Sequence, residues 1–176
     1  MVDSYYSFWL IPKAPDLDDF QDIINALAAR FNTVSFCPHV TLYSGPVSST
    51  FDVQAVLVEL SSTRSLELEI SGVHYESHFA KTLYIQLKQS PVLSKLIHRL
   101  VEAIPQAQIP ALDPHVSLLY NDLDDATQQA LTQKILLSRP TIQFDQIQVI
   151  AAPQTFETQE HVSSLRCVYS QLLTTP

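Results

Sequence analysis

The chain has 176 residues, 46 % of them hydrophobic, which suits one domain, or two small lobes sharing a core, and argues against disorder. Ten Lys and Arg stand against 18 Asp and Glu, and the net charge of −8 excludes the broad basic surface that long nucleic acids need. A small anion in a local pocket remains compatible with this charge. Two cysteines exclude a disulfide framework, and two glycines exclude a glycine-rich phosphate loop.

The apolar stretches are short. None reaches the roughly 18 residues of a membrane span, because Pro12, Lys13 and Asp16 interrupt the N-terminal one. The sequence also lacks a basic segment followed by an apolar one, the pattern of a secretory signal. We therefore predict a cytoplasmic protein without a membrane partner, and we expect a monomer.

Strands are predicted where aromatic and β-branched residues run together or alternate with polar ones, and helices where apolar residues recur every three or four positions. Pro12 ends the first strand, and the first helix begins with several Asp residues and has Arg30 near its end, as the helix dipole favours. In chain order we predict strand 5–11, helix 16–31, strand 34–43, helix 51–60, strand 66–70, strand 83–87, helix 91–104, strand 115–120, helix 123–137, strand 142–152 and strand 165–173.

This order contains one strand–helix–strand–helix–strand unit twice, followed by an extra strand. Alternating helices and antiparallel-type strands indicate the α+β class. We predict a single bilobal domain, 1–176, made of two related halves at about 1–76 and 77–176. The two pseudo-symmetric lobes should present antiparallel sheets to a central cleft and carry their helices outside.

A sharper repeat lies inside the coarse one. Pro38-His39-Val40-Thr41-Leu42 and Pro114-His115-Val116-Ser117-Leu118 agree at four of five positions, and the fifth exchanges one hydroxyl for another. Because alternate side chains of a strand share a face, each histidine points with its hydroxyl residue, and the Val and Leu residues point into the core. Two such pairs would converge across a cleft if the lobes are related by a pseudo-twofold axis.

The bare pattern of His, any residue, then Ser or Thr is weak evidence. A lone strand histidine before Thr is more typical of a half-exposed sheet residue. A third copy, His161-Val162-Ser163, lacks the flanking Pro and Leu and lies in a polar run, so we reject it as a site. The paired motif at equivalent places is far more specific, although duplication of a non-catalytic ancestor would also preserve it.

The paired motif suits phosphate chemistry. Two imidazoles that face one phosphate can act as general acid and general base, each worth about 10²–10⁴ in rate. The hydroxyls of Thr41 and Ser117 can donate to the non-bridging phosphate oxygens. Such a mechanism needs no metal and no cofactor. The remaining histidines, His74, His78 and His98, form no zinc-ligand pattern.

At these residues the sequence resembles the two-histidine phosphoesterase superfamily, and within it the plant-type cyclic phosphodiesterases. The stretches that carry the resemblance are 6–12, 38–41 and 114–120, so the likeness spans most of the chain. The resemblance implies a bilobal α+β fold with a cleft between the lobes. It also implies hydrolysis of small cyclic phosphates, namely ADP-ribose 1″,2″-cyclic phosphate and nucleoside 2′,3′-cyclic phosphates.

The resemblance also implies catalytic roles. His39 would protonate the leaving ribose oxygen and His115 would activate the attacking water, although the residues alone leave the assignment of acid and base open. Thr41 and Ser117 would bind the phosphate.

The resemblance implies two further residues in substrate binding, and a departure from the family pattern adds a third. Tyr120 would lie beside the phosphate, which requires its strand to end or twist near Leu119. Trp9 would flank the nucleoside, although an aromatic residue in a first strand is more often part of a core. At residues 78–81, where the plant proteins carry an aromatic-rich turn, this sequence departs from the family: it has fewer aromatic residues and gains Lys81, which would contact the phosphate.

Two other functions stay open. The first is processing of 2′,3′-cyclic phosphate ends on RNA, which the net charge of −8 and the lack of a Lys/Arg cluster disfavour. The second is a nucleotide or RNA-end binding module that has lost turnover, which the retention of both histidines and both hydroxyls disfavours.

Overall fold

A computed structural model of the chain describes residues 4–174, so the outer ends of the predicted domain 1–176 lie outside the described residues. The elements follow the predicted order, with one short helix added before the last strand. They are β1 (Ser4–Pro12), α1 (Asp16–Phe31), β2 (Val40–Val47), α2 (Val53–Leu60), β3 (Leu66–His74), a 3₁₀ turn (Phe79–Lys81), β4 (Leu83–Leu87), α3 (Pro91–Ala103), β5 (His115–Leu119), α4 (Asp125–Thr132), β6 (Thr141–Ala151), α5 (Gln159–Ser163) and β7 (Arg166–Leu172).

The largest differences from the predicted elements occur where long-range contacts replace local patterns. The predicted strand 34–43 begins only at Val40. Before it, the Val34 N–H donates to the Gln159 side chain at 2.8 Å and Phe36 is buried, so this segment packs as an irregular loop. The predicted helix 123–137 is shorter at both ends, as α4.

All seven described strands belong to one antiparallel system with the order β2-β1-β6-β3-β4-β5, and β7 also pairs with β6. Along one edge β6 pairs with β1. Along its other edge it pairs with β3 through Thr141–Phe144 and with β7 through the remainder. The outer strands β2 and β5 approach each other, so the sheet curls nearly into a barrel.

The third strand of each sequence half joins the other half's sheet. β3 follows β2 in the chain but pairs with β4, and β6 follows β5 but pairs with β1. Each lobe of the sheet therefore contains strands from both halves. The predicted α+β class with antiparallel sheets is confirmed, and the exchange of third strands is a feature that the sequence did not indicate.

One continuous apolar core joins the two halves. The residues predicted to point away from the cleft are almost fully buried in it: Val40, Leu42, Val116 and Leu118. A second, smaller cluster of Trp9, Ile11 and Ile150 lies apart from this core. Within residues 4–174, every helix is too short or too polar to cross a membrane.

Candidate active site

His39 stands immediately before β2, where the backbone itself holds its ring. Its Nδ1 lies 2.7 Å from the carbonyl oxygen of Cys37, two residues earlier. A carbonyl only accepts, so Nδ1 carries the proton and donates it, and Nε2 of the neutral ring is left as an acceptor.

His115, the first residue of β5, repeats this arrangement. Its Nδ1 donates to the carbonyl of Asp113 at 2.8 Å, again two residues earlier and across a proline, Pro114. The two motifs thus fix the same tautomer by the same backbone contact. A carbonyl belongs to every residue type, so the sequence carried no side-chain signal for these two partners.

A cavity of about 180 Å³ collects the residues of the two motifs. It contains six of the seven residues predicted to form the site: Trp9, His39, Thr41, His115, Ser117 and Tyr120. The first three come from β1 and the start of β2, and the others from β5 and the residue after it. The two histidine–hydroxyl pairs therefore share one cavity.

Trp9 covers the His39 ring. The two rings are parallel within 4° and their centroids lie 3.5 Å apart. The indole Nε1 donates to the Ser7 hydroxyl at 2.8 Å, and the Ser7 and Ser44 hydroxyls lie 2.6 Å apart. Trp9 is thus both buried and part of the cavity wall, and it restricts His39 from one side.

Tyr84 occupies the matching position in the other lobe. Trp9 is paired in register with Thr41, and Tyr84 with Ser117. The Tyr84 ring meets His115 edge-on, with centroids 5.4 Å apart and an interplanar angle of 65°. The two histidines are therefore related by the repeat but have different neighbours.

The two hydroxyls differ in availability. Ser117 is buried, and its Oγ donates to the carbonyl of Ala80 at 3.0 Å. Thr41 is exposed, and its hydroxyl has no hydrogen-bond partner among residues 4–174. Thr41 can donate to a ligand at once, whereas Ser117 must first rotate away from Ala80.

Tyr120 enters the cavity because β5 ends at Leu119. Its ring stacks on Phe36 at 3.9 Å and meets Phe156 edge-on at 5.1 Å. The condition that its strand ends before Tyr120 is met. Neither Phe36 nor Phe156 was predicted to lie here, because Phe36 belongs to a segment predicted as a strand and Phe156 to a loop without a periodic pattern.

Lys81 does not line the cavity. Its Nζ lies 2.5 Å from Glu76 and 2.9 Å from Asp113, so two carboxylates hold the ammonium group. Lys81 is therefore connected to the site only indirectly: it pairs with Asp113, and the backbone carbonyl of Asp113 accepts a hydrogen bond from the His115 ring. No pattern in the sequence predicted that Glu76 and Asp113 would pair with Lys81.

The surroundings of the two imidazoles give them different proton affinities. Burial lowers the pKa of His39 to about 3, and the nearby His115 adds to the effect. Burial also lowers the pKa of His115, with the Lys81 charge in support, but the carboxylates of Asp113 and Glu76 oppose it. The Asp113 carboxylate lies 3.9 Å from His115 Nδ1. His39 is therefore the ring that stays neutral, and His115 the one that protonates more readily.

The other polar side chains do not assemble a comparable site. Among residues 4–174, no three His, Cys, Asp or Glu side chains come together as a metal site would require. His161, from the rejected third motif, does not line the cavity. It lies on α5, where its Nδ1 accepts the Glu157 N–H at 3.2 Å.

Comparisons with known proteins concern the family and the fold. The model of the family described as cyclic phosphodiesterase-like protein matches residues 5–168. The structure is similar to that of apo Escherichia coli LigT, with a TM-score of 0.59, 13 % identity and 99 % of each chain covered. It is also similar to a structure described as a phosphoesterase, with a TM-score of 0.56, 14 % identity, and 97 % of this chain and 99 % of that one covered. No curated protein sequence matches the chain.

Proposed function

Because the chain belongs to the cyclic phosphodiesterase-like protein family, we propose that it hydrolyses small nucleotide cyclic phosphates by two-histidine acid–base catalysis. The substrates proposed are ADP-ribose 1″,2″-cyclic phosphate and nucleoside 2′,3′-cyclic phosphates. The family match confirms the resemblance to the two-histidine phosphoesterase superfamily, and the closer likeness to the plant-type enzymes stays a prediction. One observation carries the proposal: His39 and His115, with their Nδ1 protons fixed by backbone carbonyls, line one cavity.

The reaction follows from two rings in opposite protonation states. A neutral imidazole takes a proton from water as the water oxygen bonds to phosphorus. The bond from phosphorus to one ribose oxygen breaks, and the imidazolium gives that oxygen its proton. The product is a phosphomonoester with a free ribose hydroxyl, and the rings regain their starting states by exchange with solvent. Hydroxyl donation from Thr41 and Ser117 stabilises the charge on the non-bridging oxygens.

The electrostatics favour His39 as the base and His115 as the acid, which reverses the roles that the resemblance implied. Burial keeps His39 neutral by lowering its pKa to about 3. His115 has the Asp113 carboxylate 3.9 Å away, which favours the imidazolium form. A bound phosphate adds negative charge beside both rings and so favours protonation. The ring that gains the proton is then His115, whose surroundings oppose the imidazolium form less than those of His39.

The central test is turnover of ADP-ribose 1″,2″-cyclic phosphate in excess chelator. We expect activity that survives the chelator, with a bell-shaped pH profile. This activity should fall by about 10²–10⁴ in both His39→Ala and His115→Ala.

Thr41→Ala and Ser117→Ala should each cost at most about 2–4 kcal/mol of transition-state stabilisation. His161→Ala, from the rejected third motif, is the matched control and should retain full activity. Near wild-type rates in either variant of the catalytic pair would refute the mechanism.

A second substrate separates the acid from the base. A nitrophenyl phosphodiester of a nucleotide releases a nitrophenolate, which leaves without a proton. We expect His115→Ala to hydrolyse it within about tenfold of the wild-type rate while losing about 10²–10⁴ on the cyclic substrate. His39→Ala should lose activity on both. The opposite result would restore the assignment that the resemblance implied.

The alternative functions predict different dependences on substrate length. The net charge is −8 and no Lys or Arg among residues 4–174 lines the cavity, which supports small substrates over long RNA. E. coli LigT, of the same fold, has been solved with 3′-AMP and with ATP, and both are small nucleotides. We expect kcat/KM to stay level between a dinucleotide and a long RNA ending in a 2′,3′-cyclic phosphate. A rise with length would favour RNA-end processing, and tight binding without turnover would favour a binding module.

A further inference from the structure

The two strands that carry the histidine motifs lie at opposite ends of the strand order, β2 at one end and β5 at the other. They approach each other, but within residues 4–174 they do not pair as neighbouring strands. We call the gap between β2 (Val40–Val47) and β5 (His115–Leu119) the seam. His39 lies on one side of it and His115 on the other, so no ladder of backbone hydrogen bonds sets the distance between the two imidazoles.

The apolar core extends across the seam and holds its two sides together. Hydrophobic attraction has no direction, however, whereas a hydrogen bond weakens steeply when its length or angle departs from the optimum. A hydrogen-bonded bridge across the seam would therefore fix the spacing of the two sides more sharply than the core alone.

The side chain of Gln159 forms such a bridge. Its Oε1 accepts the N–H of Val34 at 2.8 Å, and its Nε2 donates to the carbonyl of Tyr120 at 2.6 Å. Val34 lies five residues before His39, and Tyr120 lies five residues after His115. One carboxamide therefore joins the two chain segments that adjoin the two histidines.

The two partners of this bridge require a carboxamide. The Val34 N–H needs an acceptor and the Tyr120 carbonyl needs a donor, and a carboxylate supplies only the first. The bridge also has a fixed base. Gln159 is half-buried and begins α5, and α5 is held in the core by the buried side chain of Val162.

An aromatic stack connects the bridge to the site. The rings of Phe36 and Tyr120 lie 3.9 Å apart, one from each of the two bridged segments. Phe36 meets the His39 ring edge-on, with centroids 6.4 Å apart. Tyr120 lines the cavity, whereas Gln159 lies outside the residues that line it. Gln159 therefore acts on the site through Phe36 and Tyr120, and not by contact with a substrate.

We propose that Gln159 is a positioning residue that fixes the distance between His39 and His115 across the seam. The inference rests on the proposed function, because only a reaction that uses both rings on one phosphate depends on this distance. A displacement of about 1 Å between reacting groups can lower a rate by about 10²-fold.

The test compares two substrates in Gln159→Met, whose side chain has the same length but cannot donate to Tyr120. We expect kcat for ADP-ribose 1″,2″-cyclic phosphate to fall about 10- to 100-fold, with KM within about threefold of the wild-type value. The nitrophenyl phosphodiester needs no acid, so its hydrolysis does not depend on the distance between the rings. Its kcat should fall by less than about threefold.

Gln128→Met is the matched control for the loss of a carboxamide. Gln128 is buried, and its Nε2 donates to the carbonyls of Glu76 at 2.9 Å and Thr82 at 3.2 Å. Both acceptors lie between β3 and β4, on one side of the seam. This variant should lower Tm at least as much as Gln159→Met, because buried carbonyls lose their donor. It should keep the ratio of the two kcat values at the wild-type level.

Gln159→Glu separates the two ends of the bridge. The carboxylate still accepts the Val34 N–H, but it places an oxygen against the Tyr120 carbonyl. We expect kcat for the cyclic substrate to fall at least as far as in Gln159→Met. A wild-type ratio of the two kcat values in Gln159→Glu would show that the contact with Val34 suffices and would overturn the bridge.

The remaining outcomes are distinguishable when every variant is assayed at a temperature where circular dichroism shows it to be folded. Wild-type turnover with equal losses on both substrates in Gln159→Met, or with no loss, would overturn the positioning role and leave the proposed function intact. Wild-type protein that hydrolyses neither substrate would overturn the proposed function and the positioning role with it.

Discussion

His39 is buried without an acidic partner, and this burial couples its protonation to folding. Its pKa falls from an ordinary 6.5 to about 3 in the folded chain. Between these two values the unfolded chain binds more protons than the folded one, so stability rises with pH across this window and is lost on acidification. At pH 4 the loss due to His39 should be about 2–3 kcal/mol.

His39→Gln tests this coupling, since glutamine does not titrate. We expect the free energy of unfolding, from urea titrations followed by circular dichroism, to fall less between pH 7 and pH 4 in this variant than in the wild type. His98→Gln, at an exposed position, is the control and should follow the wild type. Parallel pH curves for all three proteins would show that His39 is not the buried neutral group.

A substitution of Lys81 distinguishes two roles for this residue, an electrostatic effect on the pKa of His115 and a direct contact with the phosphate. Its charge lowers the pKa of His115, although burial contributes more. Lys81→Met removes that charge and leaves Asp113 and Glu76 free to favour the imidazolium. With His115 as the acid, the basic limb of the pH–rate profile should move to higher pH, with KM little changed. A higher KM with an unmoved limb would instead support the direct phosphate contact predicted for Lys81 from the sequence.

The side chains of the site were easier to predict than their partners. The repeated motif identified both histidines and both hydroxyls because it conserves residue types at a fixed strand spacing. The Cys37 and Asp113 carbonyls could not be predicted, since backbone atoms leave no trace in the sequence. The stacking of Trp9 on His39 depends on the register between β1 and β2, which local patterns do not determine.

At the scale of elements, Asp16 connects the start of α1 to β6, the strand that pairs with β1. Its carboxylate is buried, contacts the Arg139 guanidinium, and accepts the Gln143 N–H of β6 at 3.2 Å. Asp16→Ala leaves that N–H without a partner and should lower the free energy of unfolding by about 2 kcal/mol. Asp18→Ala, in the same first turn but facing solvent, should cost under about 1 kcal/mol. Equal losses in urea titrations would show that the helix dipole alone accounts for Asp16.

The elements that follow strong periodic patterns agree with prediction, and the others do not. The helix predicted at 16–31 has the bounds of α1, because five apolar positions repeat on one face between clear end signals. The segment before β2 has alternating apolar residues but is held by Gln159 and Tyr120 from distant parts of the chain. The helix α5 has only five residues, too few for a periodic signal.

At the scale of the whole molecule, the exchange of third strands makes the two halves depend on each other. Without β6, β1 loses one of its two partner strands, and without β3, β4 loses one of its two. We expect the full chain to unfold in one transition, with urea curves from far- and near-ultraviolet circular dichroism coinciding. The separate fragments 1–76 and 77–176 should each be largely unfolded. A fragment with a cooperative transition of its own would contradict this.

The repeat in the sequence predicted two related lobes but could not indicate this exchange. The patterns of β3 and β6 are compatible with either sheet, since each alternates apolar and polar residues in the same way. Which sheet a strand joins is decided by the loops that lead to it and by the shared core. Those are properties of the complete chain, so a motif-by-motif interpretation does not reach them.

The chain contains a single tryptophan, and that residue lies face to face with the ring of His39. An imidazolium in contact with an excited indole quenches its emission, and a neutral imidazole does so much less. When tryptophan is excited selectively over the seven tyrosines, the emission therefore comes from one known site and responds to the charge of His39. A change in the charge of this ring can be followed in real time without attaching a dye.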